Sequence, residues 1–159
     1  MPSLRLLKLI GLPQNRNGVG ILIFLTASLA LAIVQLVLSI PEAGELRGYI
    51  FISTTVPIIV YYLVFLVLLQ LYRDTAFTPA STYAPGYFAS RLNIGFLVFM
   101  GLVWLGSTGI GFWLAIALRG DDSEKFSVTL GALGVFGSLT HWAVVLLCAS
   151  ERESVRWGI

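Results

Sequence analysis

Four long stretches of this sequence carry no Asp, Glu, Lys or Arg, and within them a single side chain can take or give a proton near neutral pH, His141. An ionisable group inside a membrane span marks a transport path, a proton relay or a ligand site by default. Two readings of His141 follow. In one, the imidazole is a proton-sensitive or lipid-headgroup contact. In the other, which we expect, it is a neutral histidine held by a hydrogen bond to a neighbouring helix or to a backbone carbonyl. One histidine alone makes no metal site, because such a site needs several ligands. Asp121 and Asp122 lie far along the same helix from His141, so spacing offers no Ser-His-Asp set. The glycine-rich run from Gly106 to Gly111 falls inside an apolar stretch, where it is no phosphate loop. The expectation is a protein without catalytic residues, cofactor or metal.

The apolar stretches that must position His141 are legible from composition. Of 159 residues, 57% are apolar or aromatic and 11% are charged. A soluble domain has about 25% charged residues, which its surface needs to stay in water. All ten basic and eight acidic residues fall outside segments 18–40, 49–72, 92–118 and 126–149. A bilayer core is crossed by about 20 apolar residues as a helix, so each segment suffices. None shows the alternation of a barrel strand. The predicted fold is an all-α membrane protein: a four-transmembrane-helix bundle with tails 1–17 and 150–159. Ala30-Leu31-Ala32 fits a small-x-small cleavage site, but the apolar run continues to Ile40, longer than a signal core. A first span is the expectation.

The connections 41–48 and 119–125 are too short to hold a domain and force antiparallel neighbours. The connection 73–91 is longer, with Pro79, Pro85 and Gly86. The layout is two helical hairpins. Basic residues accumulate on the cytoplasmic side. Arg5, Lys8, Arg16, Arg73, Arg91, Arg152 and Arg156 lie on one side, against Arg47, Arg119 and Lys125 on the other. Seven against three places both termini in the cytoplasm. The same seven residues are candidate contacts for anionic lipid headgroups. No basic run is dense enough for nucleic acid. Cys148 is the only cysteine, so no internal disulfide forms.

Small residues recur at helical spacing. Ser107, Gly111 and Ala115 line one face of the third span; Gly131, Gly134 and Ser138, with Gly137, line one face of the fourth. Such faces let backbones approach closely. They are expected to pack spans three and four against each other, or else to join copies or partner membrane proteins. Pro57 deprives the Ser53 carbonyl of its donor and should kink the second span, with Thr54 and Thr55 satisfying freed backbone groups.

The layout resembles the MARVEL-type four-span proteins, in particular the small fungal-type members, over about residues 1–150. The resemblance lies in the compact outer loops, the third-span run from Leu92-Asn93 through Trp104 to Phe112-Trp113, and the fourth span from Lys125 to His141-Trp142. Claudin-like proteins and tetraspanins carry large Cys-bearing outer loops that this chain lacks. The resemblance implies a non-enzymatic, multi-pass protein of the plasma membrane or endomembranes. Its role would be membrane organisation or trafficking, with lipids and membrane proteins as partners. The rival expectations are a small transporter or channel component, and an accessory subunit of a larger complex.

Overall fold

The computed structural model describes residues 16–42, 46–71, 90–117 and 123–157. Four helices account for nearly all of them: α1 (Arg16–Ser39), α2 (Leu46–Leu71), α3 (Arg91–Ala117) and α4 (Ser123–Trp157). A 3₁₀ turn, Ile40–Glu42, follows α1, where Pro41 stops the helix. Ser90 caps α3: its Oγ accepts from the Asn93 backbone N–H at 3.1 Å, and its carbonyl from that of Ile94 at 3.1 Å. All four helices are long and apolar enough to cross a membrane, over Asn17–Ser39, Gly48–Leu68, Arg91–Ala117 and Ser127–Glu153.

The fourth helix does not stop where the charges begin. It runs 35 residues to Trp157, about 52 Å at about 1.5 Å per residue. Residues 150–157, expected as tail, continue it. Glu, Arg and Ser tolerate a helix, and Glu151 faces the interior.

The helices form a ring in which each packs on its chain neighbours and α4 closes against α1. Their buried residues share one seam, which in α3 and α4 is widened by Met100, Ser107, Gly131, Ser138 and Val145. In α1 these are Gly18, Ile21, Leu25, Ser28, Ala32, Gln35 and Ser39, and in α2 Gly48, Phe51, Thr55, Ile58, Tyr62 and Phe65. Steps of three and four alternate without a break. The same alternation runs in α4 from Ser127 through Leu130, Gly134, Gly137, His141, Val144 and Cys148 to Glu151, and in α3 from Leu97 through Gly101, Trp104, Thr108 and Gly111 to Ala115. A mean step of 3.5 is the seam of a left-handed coiled coil. The seam here mixes glycine, hydroxyls, Gln35 and His141 with Leu, Ile and Phe. The outward residues are mostly apolar, among them Ile23, Val37, Val60, Leu63, Phe99, Leu102, Phe136 and Leu146, and the outward hydroxyls of Thr26, Ser53 and Thr129 bond back to their own helices. Lipid tails solvate such a surface, and packing rather than hydrophobic burial holds the helices together.

Helices α3 and α4 fit as a ridge in a groove. Trp104, Thr108 and Phe112 form the ridge. A Cβ added at Gly137 would overlap the Trp104 indole, and one at Gly134 the Thr108 side chain. At Gly131 it would stand 3.2 Å from the Phe112 ring. Ascending numbers on one helix meet descending numbers on the other, so the two run in opposite directions. On the third-span face, Gly111 receives the Phe51 ring of α2. The two small-residue faces are both buried.

Helix α2 passes through Pro57 as continuous helix. The hydroxyls before it bond the preceding turn. Ser53 Oγ donates to the Ile50 carbonyl at 2.9 Å, Thr54 Oγ1 to the Ile50 and Phe51 carbonyls, each at 3.0 Å, and Thr55 Oγ1 to that of Phe51. They do not serve the Ser53 carbonyl, which proline deprives of its donor. Hydroxyls that bond back to carbonyls in this way bend helices.

Candidate functional site

His141 sits at the middle of the bundle with 0% of its surface exposed, beside Gly101, which makes room for it. A Cβ on Gly101 would come to 3.1 Å from His141 Cδ2 and from the Trp142 indole. Both ring nitrogens of His141 are engaged. Nε2 lies 2.8 Å from the Leu97 carbonyl of α3, and Nδ1 faces the Tyr62 hydroxyl of α2. A carbonyl only accepts, so Nε2 carries the hydrogen and donates. Nδ1 is then the acceptor, and Tyr62 must donate to it. That leaves the Tyr62 oxygen to accept from Ser28 Oγ of α1 at 2.9 Å. The order is Ser28 to Tyr62 to His141 to the Leu97 carbonyl, one group from each helix and every donor direction fixed.

The rings pack around this chain. The centroids of Tyr62 and His141 are 5.7 Å apart. Trp104 stands edge-on to the imidazole at 6.0 Å. Trp104 Nε1 donates to Gln35 Oε1 of α1 at 3.1 Å. Nearer the start of α3, Tyr61 donates to Asn93 Oδ1 at 2.7 Å and stacks on Phe96 at 5.0 Å. These polar ties cross between helices inside the bundle. Each gives a buried polar group a partner that lipid cannot supply.

Most remaining hydroxyls bond within their own helix. Ser39 donates to the Gln35 carbonyl at 2.6 Å, and Ser107 and Thr108 to the Trp104 carbonyl, each at 2.9 Å. Thr140 donates to the Gly137 carbonyl at 2.9 Å. Gln35 Nε2, Ser127 Oγ, Ser138 Oγ and Trp142 Nε1 are buried without a hydrogen-bond partner. Among the described residues, no three His, Cys, Asp or Glu side chains gather as a metal site would require.

The other expected residues divide as follows. Ser107, Gly111, Ala115, Gly131, Gly134 and Ser138 are all buried. Arg91 is exposed at the start of α3, and Arg152 is half-buried between α3 and α4. Arg5, Lys8 and Arg73 lie outside the described residues. Arg16 and Arg156 belong to α1 and α4, but their side chains are not among those described. Sequence reasoning placed Glu151 in the tail, yet it is fully buried. The signal that finds it is the three-four alternation from Ser127, which lands on 151. The same spacing counted from Phe51 puts Tyr62 inside.

The fold is thus that of a multi-pass membrane protein, a helical bundle with four candidate spans around a hydrogen-bonded interior. The chain matches no family model, no curated protein and no solved structure.

The single histidine makes the donor order directly measurable. In protein labelled with ¹⁵N-histidine in lipid, His141 is expected to show a protonated Nε2 and an unprotonated Nδ1. The opposite tautomer would reverse every hydroxyl in the chain and overturn the assignment.

Proposed function

We propose that this protein is a non-enzymatic membrane scaffold, resembling the MARVEL-type proteins, that organises lipids or partner membrane proteins. Its four spans form two hairpins with both termini in the cytoplasm. The basic asymmetry of the sequence supports that orientation. One observation carries the reading. The polar groups at the bundle centre, Ser28, Tyr62, His141, Trp104 and Gln35, are spent on joining the helices to one another. A path for a solute needs polar groups that face the solute, and these face each other. What the protein offers its surroundings is an apolar outer surface, with arginines at the end where α3 begins and α4 leaves the membrane.

The rival reading, a small transporter or channel component, draws on the four buried polar atoms that lack partners. Solute flux through vesicles containing only this chain, lost on changing Gln35 or Ser138, would favour it. Under the scaffold reading no such flux is expected. Tags at either terminus should both be protected from protease added outside intact cells, and cleavage of either one overturns the orientation. Gentle solubilisation should yield the chain with lipid or with itself. A fixed heteromeric complex would instead make it an accessory subunit.

A further inference from the structure

One opening on the surface carries charge of both signs. Between α3 and α4, at the end where the third candidate span begins and the fourth ends, an open crevice of about 230 Å³ is lined by Ile94, Ala149, Arg152 and Glu153. Small-molecule pockets hold about 300–1,000 Å³, so this one admits a lipid headgroup while the acyl chains remain in the bilayer. Its floor is apolar, from the partly buried Ile94 and Ala149. Its walls carry one cation and one anion on consecutive residues. Arg152 is half-buried, and Glu153 is exposed.

That charge pair selects a headgroup. A guanidinium binds phosphate with a fork of N–H donors. A carboxylate beside it repels a purely anionic headgroup and accepts hydrogen bonds from a primary ammonium. Choline offers it no N–H to donate. Phosphatidylethanolamine carries one phosphate and one primary ammonium, and both charges find their opposite here. The depth fits as well: Arg91 opens the third candidate span and Glu153 closes the fourth, so the crevice lies at the headgroup level.

We infer that the α3–α4 crevice is a phosphatidylethanolamine site, the phosphate on Arg152 and the ammonium on Glu153. The inference rests on the proposed scaffold reading for its placement at the membrane surface, and it narrows the lipid contacts of that reading to one headgroup.

Native mass spectrometry of the full chain in detergent tests it. Phosphatidylethanolamine, phosphatidylcholine and phosphatidylglycerol of matched acyl chains are each titrated in. Retention of phosphatidylethanolamine is expected to exceed that of either other lipid several-fold. Glu153→Gln should bring phosphatidylethanolamine down to the level of phosphatidylcholine. Glu153→Lys should make phosphatidylglycerol the preferred lipid. Arg152→Gln should reduce retention of all three. Glu153 is exposed, so its variants are expected to fold, and they decide the question even if the arginine variant does not. Equal retention of the three lipids, or a preference unmoved by Glu153→Gln, overturns the assignment. Such a result leaves the scaffold reading standing, because that reading fails instead on solute flux or on a fixed heteromeric complex.

Discussion

His141→Ala is expected to cost about 3 kcal/mol of stability. The loss has two parts. The Tyr62 hydroxyl loses its acceptor and the Leu97 carbonyl its side-chain donor; Tyr62 keeps Ser28 and Leu97 keeps its helical bond, so the loss falls toward the low end of the about 1–3 kcal/mol of a buried unsatisfied group. Hydrogen bonds between membrane helices average only about 0.6 kcal/mol, with a maximum of about 1.7, because unpaired groups find other partners in the unfolded state. The polar loss therefore sits at the low end of its range. The second part is the void left where an imidazole with no exposed surface stood, and large-to-small changes in packed interiors cost about 2–5 kcal/mol. Tyr62→Phe keeps the ring and removes only the hydroxyl, so it should cost about 1 kcal/mol. The two changes remove the same bond. Made together, they should cost less than the sum of the two by about 1 kcal/mol. Unfolding in mixed detergent micelles measures all three variants. An unchanged midpoint for His141→Ala, or strict additivity in the double variant, would show that the chain from Ser28 to Leu97 does not hold the helices.

The second large effect is steric. Gly137→Leu is expected to disrupt α3–α4 packing by more than about 3 kcal/mol, and Gly137→Ala by about 1–3 kcal/mol, the usual range for overpacking. A Cβ at this position meets the Trp104 indole. The indole has little freedom to retreat, since it is fully buried, bonded through Nε1 to Gln35 and edge-on against His141. The control is on the other side of the ridge. Gly106 and Gly109 of α3 face open space, with nothing within 4 Å of an added Cβ. Alanine there should stabilise by about 0.5–1 kcal/mol through helix propensity alone. Opposite signs for Gly137→Ala and Gly106→Ala, read in the same unfolding assay, are the signature of the ridge-and-groove fit. A stable Gly137→Leu would sink it.

The absence of charge from four segments predicts four membrane-length helices, and four such helices are present. What the sequence concealed was their inward faces. In a soluble bundle the inner face is marked by greasy residues, and the eye searches for apolar periodicity. Here the outward faces are as apolar as any core, so that contrast is lost. The inner face is marked instead by the exceptions: Ser28 and Gln35 in α1, Thr55 and Tyr62 in α2, Trp104 and Thr108 in α3, Gly134, Gly137 and His141 in α4. The small-residue stripes were visible as faces, but their partners were not. Gly137 waits for Trp104, and Gly111 for Phe51, and nothing local to either glycine says so. The end of α4 misled for a related reason. Glu151 reads as a solvated charge until its place in the three-four alternation is counted from Ser127.

The seam also divides the chain's letters into two vocabularies. Outward positions such as Ile23, Val60, Leu102 and Leu146 face away from the bundle, and a bilayer does not distinguish Leu from Ile or Val as a packed neighbour does. Those letters say where the protein lives. The inward letters, two or three in every seven, say what shape it takes there. A designer could rewrite the outer text almost at will and keep this bundle. Sliding the inner text by one place would leave a chain of nearly the same composition and hydropathy with no reason to assemble.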